Sequence, residues 1–305
     1  YSGGAYVKDD TLKLFYTGNV KDENNNRESY QCIVDYHKDG SFEKKGPVIP
    51  KQPEGYTAHF RDPMIFVEDG TYYMVLGIQR ENLTGTALIY KSDDIEKWEL
   101  LGELKTDKKG FGFMWECPNL VKVSDDKYAF IFSPQGLEAE EFKNQNIYQS
   151  GYMIGNLDIN NVELKNHTEF KELDMGFDFY APQVFNHNGQ NIMLGWVGMP
   201  DKDAEYPSAQ NGGWMFPLTL PRVIEYKNNA IYQRPLKEVE NLRKAKIVDV
   251  KNEVKDKYQL ELDNRNVEIK LNLNLEENNF VDLRFKFNDE YISLTYDKAS
   301  EVCTI

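Results

Sequence analysis

The chain has 305 residues, a net charge of −14, and 13% aromatic residues including 19 Tyr and 17 Phe. That is enough length for a large core or for two domains. The acidic balance without a basic stripe argues against a nucleic-acid partner, and no apolar run is long enough to span a bilayer. Three scattered cysteines and four histidines without ligand spacing argue against a disulfide framework and a metal site, and suit a reducing compartment.

In chain order, the first unit runs from residue 1 to about 50. Ser2-Gly3-Gly4-Ala5 leads through Asp9-Asp10 into the strand pattern Leu12-Lys13-Leu14-Phe15-Tyr16, and Ser29 to Tyr36 alternates as a third strand. The small residues at the head of the inner strand either let a ligand approach closely or are simple loop glycines. The second unit, 51 to about 104, is entered through Arg61-Asp62-Pro63. It continues through Asp69-Gly70, a strong hairpin signal, into Thr71 to Gly77. In a regular strand Arg61 and Asp62 face opposite ways, so both reach one site only if the adjacent proline distorts the strand. The bland alternative is a structural ion pair or a turn-capping aspartate.

The third unit, 105 to about 174, centres on Met114-Trp115-Glu116-Cys117-Pro118 and passes through Asp125-Asp126 into Tyr128 to Phe132. Aromatic and thiol neighbours solvate a carboxylate poorly, so Glu116 is expected to hold its proton more tightly than usual, as a general acid requires. Taken alone it is more readily read as an ordinary glutamate beside a buried cysteine. The fourth unit, 175 to 235, opens on Asp178-Phe179-Tyr180-Ala181-Pro182-Gln183 and passes through Asn188-Gly189 into Asn191 to Trp196. Asp178, Tyr180 and Gln183 carry hydroxyl-binding chemistry, and Tyr180 or Trp196 can stack on a sugar face, although strand aromatics more often belong to a core.

Ala5, Pro63, Pro118 and Pro182 occupy matching places at intervals of 58, 55 and 64 residues. An all-β repeat of that period reads as propeller blades. Beyond Pro235 the character changes. Residues 236–246 form a charged linker with helical spacing. From Ile247 the segments Tyr258 to Leu262, Val267 to Leu271, Val281 to Phe287 and Tyr291 to Tyr296 alternate as a sandwich with one solvated face does. The predicted organisation is a β-propeller over 1–235, a linker, and a partial β-sandwich over 247–305. Four or five strands are few for a sandwich, so an incomplete C-terminus is expected.

The runs Arg61-Asp62-Pro63, Glu116-Cys117-Pro118 and Asp178 to Gln183 resemble glycoside hydrolase family 32, and the likeness extends over the whole chain. It implies an all-β fold, a five-bladed β-propeller followed by a β-sandwich, and hydrolysis of β-fructofuranosides such as sucrose or sucrose-6-phosphate without a cofactor. It further implies that Glu116 is the acid/base and Asp62 the transition-state stabiliser. Arg61 and the Tyr1-Ser2 pair would contact the sugar, and Cys117 would tune the acid. The implied nucleophile is an aspartate in an Asn-Asp-Pro motif on the first blade, and no Asn-Asp-Pro occurs here. Four units are visible where five are implied, so the expectation is that the first blade precedes Tyr1, or that these residues alone are inactive. Met215-Phe216-Pro217 departs from the implied pattern, and Lys202 is one candidate for gripping a phosphate. A fructan hydrolase or fructosyltransferase on the same core, and a non-catalytic carbohydrate-binding propeller, are the competing readings. The expected partner is a small sugar, and the expected setting a cytoplasmic monomer or homodimer.

Overall fold

A computed structural model describes residues 2–201, 206–251, 257–262, 266–275 and 280–305, so Tyr1 and Lys202 lie outside the described residues. The chain divides between Leu242 and Arg243 into two compact units.

The first unit is a succession of antiparallel meanders. β1 (Gly3–Lys8), β2 (Thr11–Lys21), β3 (Arg27–Tyr36) and β4 (Phe42–Ile49) form the first sheet in sequence order. β5 (Tyr56–Glu68), β6 (Thr71–Arg80), β7 (Gly85–Ser92) and β8 (Glu99–Glu103) form the second. The third contains β9 (Met114–Lys122), β10 (Tyr128–Gln135), β11 (Gly151–Asp158), β12 (Glu163–Lys165) and β13 (Lys171–Glu172). There β12 and β13 pair with different ends of β11. β14 (Tyr180–His187), β15 (Gln190–Trp196), β16 (Arg222–Lys227) and β17 (Ala230–Pro235) complete the fourth. The first strands of successive sheets touch, β1 against β5, β5 against β9 and β9 against β14, as the inner strands of propeller blades do.

Tight local turns set the meanders. Asp69 and Gly70 take φ of 49° and 78°, and Asn188 and Gly189 take 50° and 77°, the left-handed pair that matches the twist of a two-residue hairpin. Side-chain alternation then stitches sheet to sheet. On β6, Met74 and Leu76 face the core shared with the first sheet, where they meet Phe15 and Ile33. Val75, between them, faces Trp115, Phe130 and Phe132 of the third sheet. On β10, Ala129 and Ile131 face the other way, toward Val184, Met193 and Ile224 of the fourth. A period of two with both faces apolar is what a strand buried on both sides requires.

The second unit contains one antiparallel sheet, β18 (Phe280–Phe287), β19 (Glu290–Asp297) and β20 (Val302–Thr304). The segments 258–262 and 267–271, read from sequence as strands, carry none in the structure, and their apolar positions Leu260, Leu262, Ile269 and Leu271 are exposed. Alternation marks which face a strand would bury, but a ladder needs a neighbour, and these segments have none among the described residues. Residues 236–246 carry a short 3₁₀ helix, Lys237–Leu242, consistent with the helical spacing read there.

Candidate active site

Arg61, Glu116 and Tyr180 stand at equivalent places in three consecutive inner strands, and the same irregularity shapes each. The pairing of β5 with β6 shifts between Arg61 and Met64, so three steps on one strand oppose two on the other. The same one-residue bulge occurs from Glu116 to Asn119 on β9 and from Tyr180 to Gln183 on β14. The residue between each of these and its proline is left-handed: Asp62 at φ 66°, Cys117 at 47° and Ala181 at 51°. A following proline disfavours the right-handed helical region that a bulge residue otherwise takes. The three repeat residues consequently converge. Arg61 donates from Nε and Nη2 to Glu116 Oε1 at 2.8 and 2.6 Å. The Tyr180 hydroxyl donates to Glu116 Oε2 at 2.5 Å.

Gln135 completes the shell, its Nε2 reaching Glu116 Oε2 at 3.0 Å from the end of β10. The glutamate is thus held by four donor contacts, with its side chain 16% exposed. Trp115, its sequence neighbour, turns into the blade core and donates its indole N–H to the Phe111 carbonyl. The surroundings of Glu116 are therefore hydrogen-bond donors supplied by other strands, not the aromatic ring beside it in sequence.

Asp62 is 4% exposed and accepts at Oδ2 from the Cys117 backbone N–H at 2.9 Å, with the Cys117 thiol at 3.6 Å. Burial pushes its carboxyl up to about 6; Arg61 works against that rise, Glu116 adds to it, and the Cys117 donors oppose it. The Cys117 thiol is itself pushed well above its usual range by burial and by the two carboxylates, while the Ser2 hydroxyl hydrogen-bonded to it opposes the shift. Cys117 thus makes its hydrogen bonds to Asp62 and Ser2 and meets Glu116 through charge alone. Arg61 is held protonated: burial disfavours the charge, but Glu116 and Asp62 outweigh it.

Arg61 and Asp62 lie side by side, Nε 4.0 Å from Oδ2, because the bulge breaks the strict alternation of the strand. Tyr180 is 2% exposed, so its ring has no open face for a sugar, and its hydroxyl is the part that meets Glu116. Its ring lies edge-on to Trp196 at 6.4 Å, and Trp196 in turn packs against Phe216 at 4.9 Å. Asp178 is half-buried in the loop before β14. Gln183 lies on β14 beyond the bulge and makes no hydrogen bond to the Glu116 group.

Several polar residues of the site were not picked out from the sequence. Thr17 accepts the Asp62 backbone N–H at 3.0 Å and donates to Gln31, whose amide reaches the Phe60 carbonyl. Asn119, fully buried, donates to the carbonyls of Cys117 and Pro182 and accepts from Val184 N–H, tying two bulged strands together. His59 contacts Arg61 Nη1 through Nδ1 at 2.9 Å. Its position two residues before Arg61, on the same strand face, was the available signal. No comparable signal marked Gln31 or Asn119. Among the described residues no group of His, Cys, Asp and Glu is arranged to hold a metal ion.

Against this geometry, the chain's similarities are specific. The Glycosyl hydrolases family 32 N-terminal domain matches residues 1–235. The sucrose-6-phosphate hydrolase of Bacillus subtilis (strain 168) is 47% identical over 249 residues, 80% of this chain and 51% of that protein. The sucrose-6-phosphate hydrolase of Vibrio alginolyticus is 36% identical over 307 residues, covering 97% of this chain and 62% of its own length. The solved sucrose-6-phosphate hydrolase of Lactobacillus gasseri superposes with a TM-score of 0.72 at 37% identity, over 80% of this chain and 50% of that one. The chain spans about half the length of the Bacillus and Lactobacillus proteins.

Proposed function

Because the chain belongs to glycosyl hydrolases family 32, we propose that the whole protein hydrolyses the β-fructofuranoside bond of sucrose or sucrose-6-phosphate and releases fructose. The observation that carries this reading is the convergence of Arg61, Glu116 and Tyr180 from three blades onto one carboxyl group. Glu116 protonates the departing glycosidic oxygen, then takes a proton from the water that completes turnover. A second carboxylate attacks the anomeric carbon and retains its configuration. Asp62 grips fructosyl hydroxyls and stabilises the oxocarbenium-like charge. Arg61 and Tyr180 hold Glu116, while Ser2, Asp178, Gln183 and Trp196 are assigned to the sugar.

In this reading residues 1–235 belong to the propeller catalytic domain and 247–305 to the β-sandwich. The protein works in the cytoplasm as a monomer or homodimer. The experiment is initial rates of the full-length protein on sucrose and sucrose-6-phosphate beside Glu116→Gln. Loss of a general acid lowers turnover by roughly 10²- to 10⁴-fold on a leaving group that needs a proton. The loss is smaller on an aryl fructofuranoside, whose leaving group does not. Equal rates for variant and wild type on sucrose would refute the assignment of Glu116.

A further inference from the structure

Two aromatic residues near Glu116 are not used by the folding core. Phe111 turns into the third sheet, where its ring meets Phe132 at 6.2 Å and Phe170 at 5.1 Å. Phe113, two residues on and just ahead of β9, is 40% exposed and joins none of the hydrophobic cores of the described residues. A single exposed phenylalanine is ordinary; one that is exposed and also fixed in place is not. The Phe113 backbone N–H donates to the Gln135 carbonyl at 2.8 Å, and its own carbonyl accepts from the Gln79 amide at 2.8 Å. Its ring lies over Gly136, where a Cβ would sit 2.5 Å from a ring carbon, and meets the Tyr148 ring edge-on at 6.3 Å.

Tyr148 is fixed in turn. Its backbone bridges to Gln135, its hydroxyl donates to Asp201 Oδ2 at 2.9 Å, and its ring lies 6.0 Å from that of Tyr180. Phe113 and Tyr148 therefore flank Gln135, whose amide reaches Glu116. Burial first, then Asp201 and Glu116, push the Tyr148 hydroxyl up to about 12, so it remains a donor at neutral pH. The two oxygens of Glu116 look toward different neighbours. Oε1 takes Arg61, which lies beside Asp62 on β5. Oε2 takes Tyr180 and Gln135, and Tyr148 and Phe113 stand next to those two. With the fructosyl unit assigned to Asp62, the departing group falls on the Oε2 side.

We propose that Phe113 and Tyr148 form an aromatic platform for the leaving sugar, whose apolar C–H face lies on the exposed part of the Phe113 ring. The inference rests on the β-fructofuranosidase reading above and deepens it by assigning residues to the part of the substrate that departs. A pyranose presents C–H groups on its faces and hydroxyls around its rim, so a flat apolar surface with a few polar groups at the edge suits it. Asp201, exposed and already holding Tyr148, puts a carboxylate acceptor at that edge. Recognition through a C–H face needs no charge on the sugar, so the platform serves sucrose and its phosphate alike.

The test is steady-state kinetics of the full-length wild type, Phe113→Ala and Phe113→Tyr on sucrose and on methyl β-fructofuranoside. The methyl glycoside has the same bond and the same need for a proton on its leaving oxygen, but no leaving sugar. Loss of the apolar contact predicts that Phe113→Ala lowers kcat/KM on sucrose by roughly 5- to 30-fold. Its loss on the methyl glycoside is no more than about twofold, and Phe113→Tyr, which keeps the ring, recovers most of the activity on sucrose. Equal losses on both substrates would show Phe113 acting through Gln135 on Glu116, and would overturn the platform. So would a Phe113→Ala that matches wild type on sucrose, or a wild type that cleaves the methyl glycoside as readily as sucrose. A folded wild type that cleaves neither substrate fails at the parent reading, a result distinct from all of these.

Discussion

Asp62→Asn separates what the site does from what it costs the fold. The buried carboxyl has its pKa raised from an ordinary 3.8 to about 6, with burial as the first cause. An acid that binds its proton more tightly in the folded state loses stability as pH rises between its unfolded and folded values. Below about pH 4 the group is protonated in both states and the penalty is absent; above about pH 6 it is present in full. At 1.36 kcal/mol for each tenfold change, that displacement corresponds to roughly 3 kcal/mol. The amide of asparagine has the shape of the protonated acid, and its oxygen still accepts from Cys117 N–H, the contact now made at 2.9 Å. Urea unfolding of the full-length protein and the variant, followed from pH 4 to pH 8, should therefore show Asp62→Asn more stable at pH 8 by up to about 3 kcal/mol. The difference should close toward pH 4, while turnover of sucrose or its phosphate falls at every pH. A variant equally destabilised at pH 4 and pH 8 would refute the reasoning, because its effect would then be lost packing and not a buried charge.

Two further substitutions test the remaining contacts. Asn119→Ala removes a fully buried side chain and orphans the Cys117 and Pro182 carbonyls and the Val184 N–H. A loss of about 3 kcal/mol is expected in denaturant unfolding, since each orphaned buried group costs about 1–3 kcal/mol and such costs are not additive; a loss below 1 kcal/mol would show that the strands are joined by other means. Tyr180→Phe deletes one donor to Glu116 and keeps the ring against Trp196. Turnover should fall by roughly tenfold with the melting temperature nearly unchanged, as expected for a single charge-assisted hydrogen bond; unaltered kcat would remove Tyr180 from the positioning of Glu116.

What could be read from the sequence was whatever is encoded locally. Hairpin turns such as Asp69-Gly70 and Asn188-Gly189 depend on a pair of residues that tolerate left-handed backbone, so they mark the strands around them. Proline at matching intervals exposed the repeat, and the repeat placed Arg61, Glu116 and Tyr180 in register before any contact was visible. The shell around Glu116 was not local. Trp115 is adjacent in sequence and faces away, while Gln135 comes from a neighbouring strand and Arg61 and Tyr180 from neighbouring blades. Nothing in the residues near Glu116 announces those donors. In the second unit, the alternation at 258–262 and 267–271 is genuine, but it states a preference that only a pairing strand can turn into a sheet.

The recurrent bulge explains why one repeat can carry three chemistries. A regular strand would send Arg61 and Asp62 to opposite faces; with Asp62 left-handed, Arg61 grips Glu116 while Asp62 accepts from Cys117. Holding Asp62, Cys117 and Ala181 in that region costs about 1–3 kcal/mol apiece, so it persists only where surrounding contacts over-determine it. Thr17 anchors the Asp62 N–H, and Asn119 anchors the Cys117 carbonyl in the β9 bulge and the Pro182 carbonyl in the β14 bulge. The first sheet dispenses with the device: β1 pairs with β2 without a register shift. There Gly3 and Gly4 admit close backbone instead, since a Cβ on Gly3 would sit 2.0 Å from the Phe15 carbonyl oxygen and one on Gly4 2.7 Å from that of Pro63. The three bulged strands therefore differ at Glu116 in which side chain precedes the strained residue, arginine, glutamate or tyrosine, on a bulge that all three share.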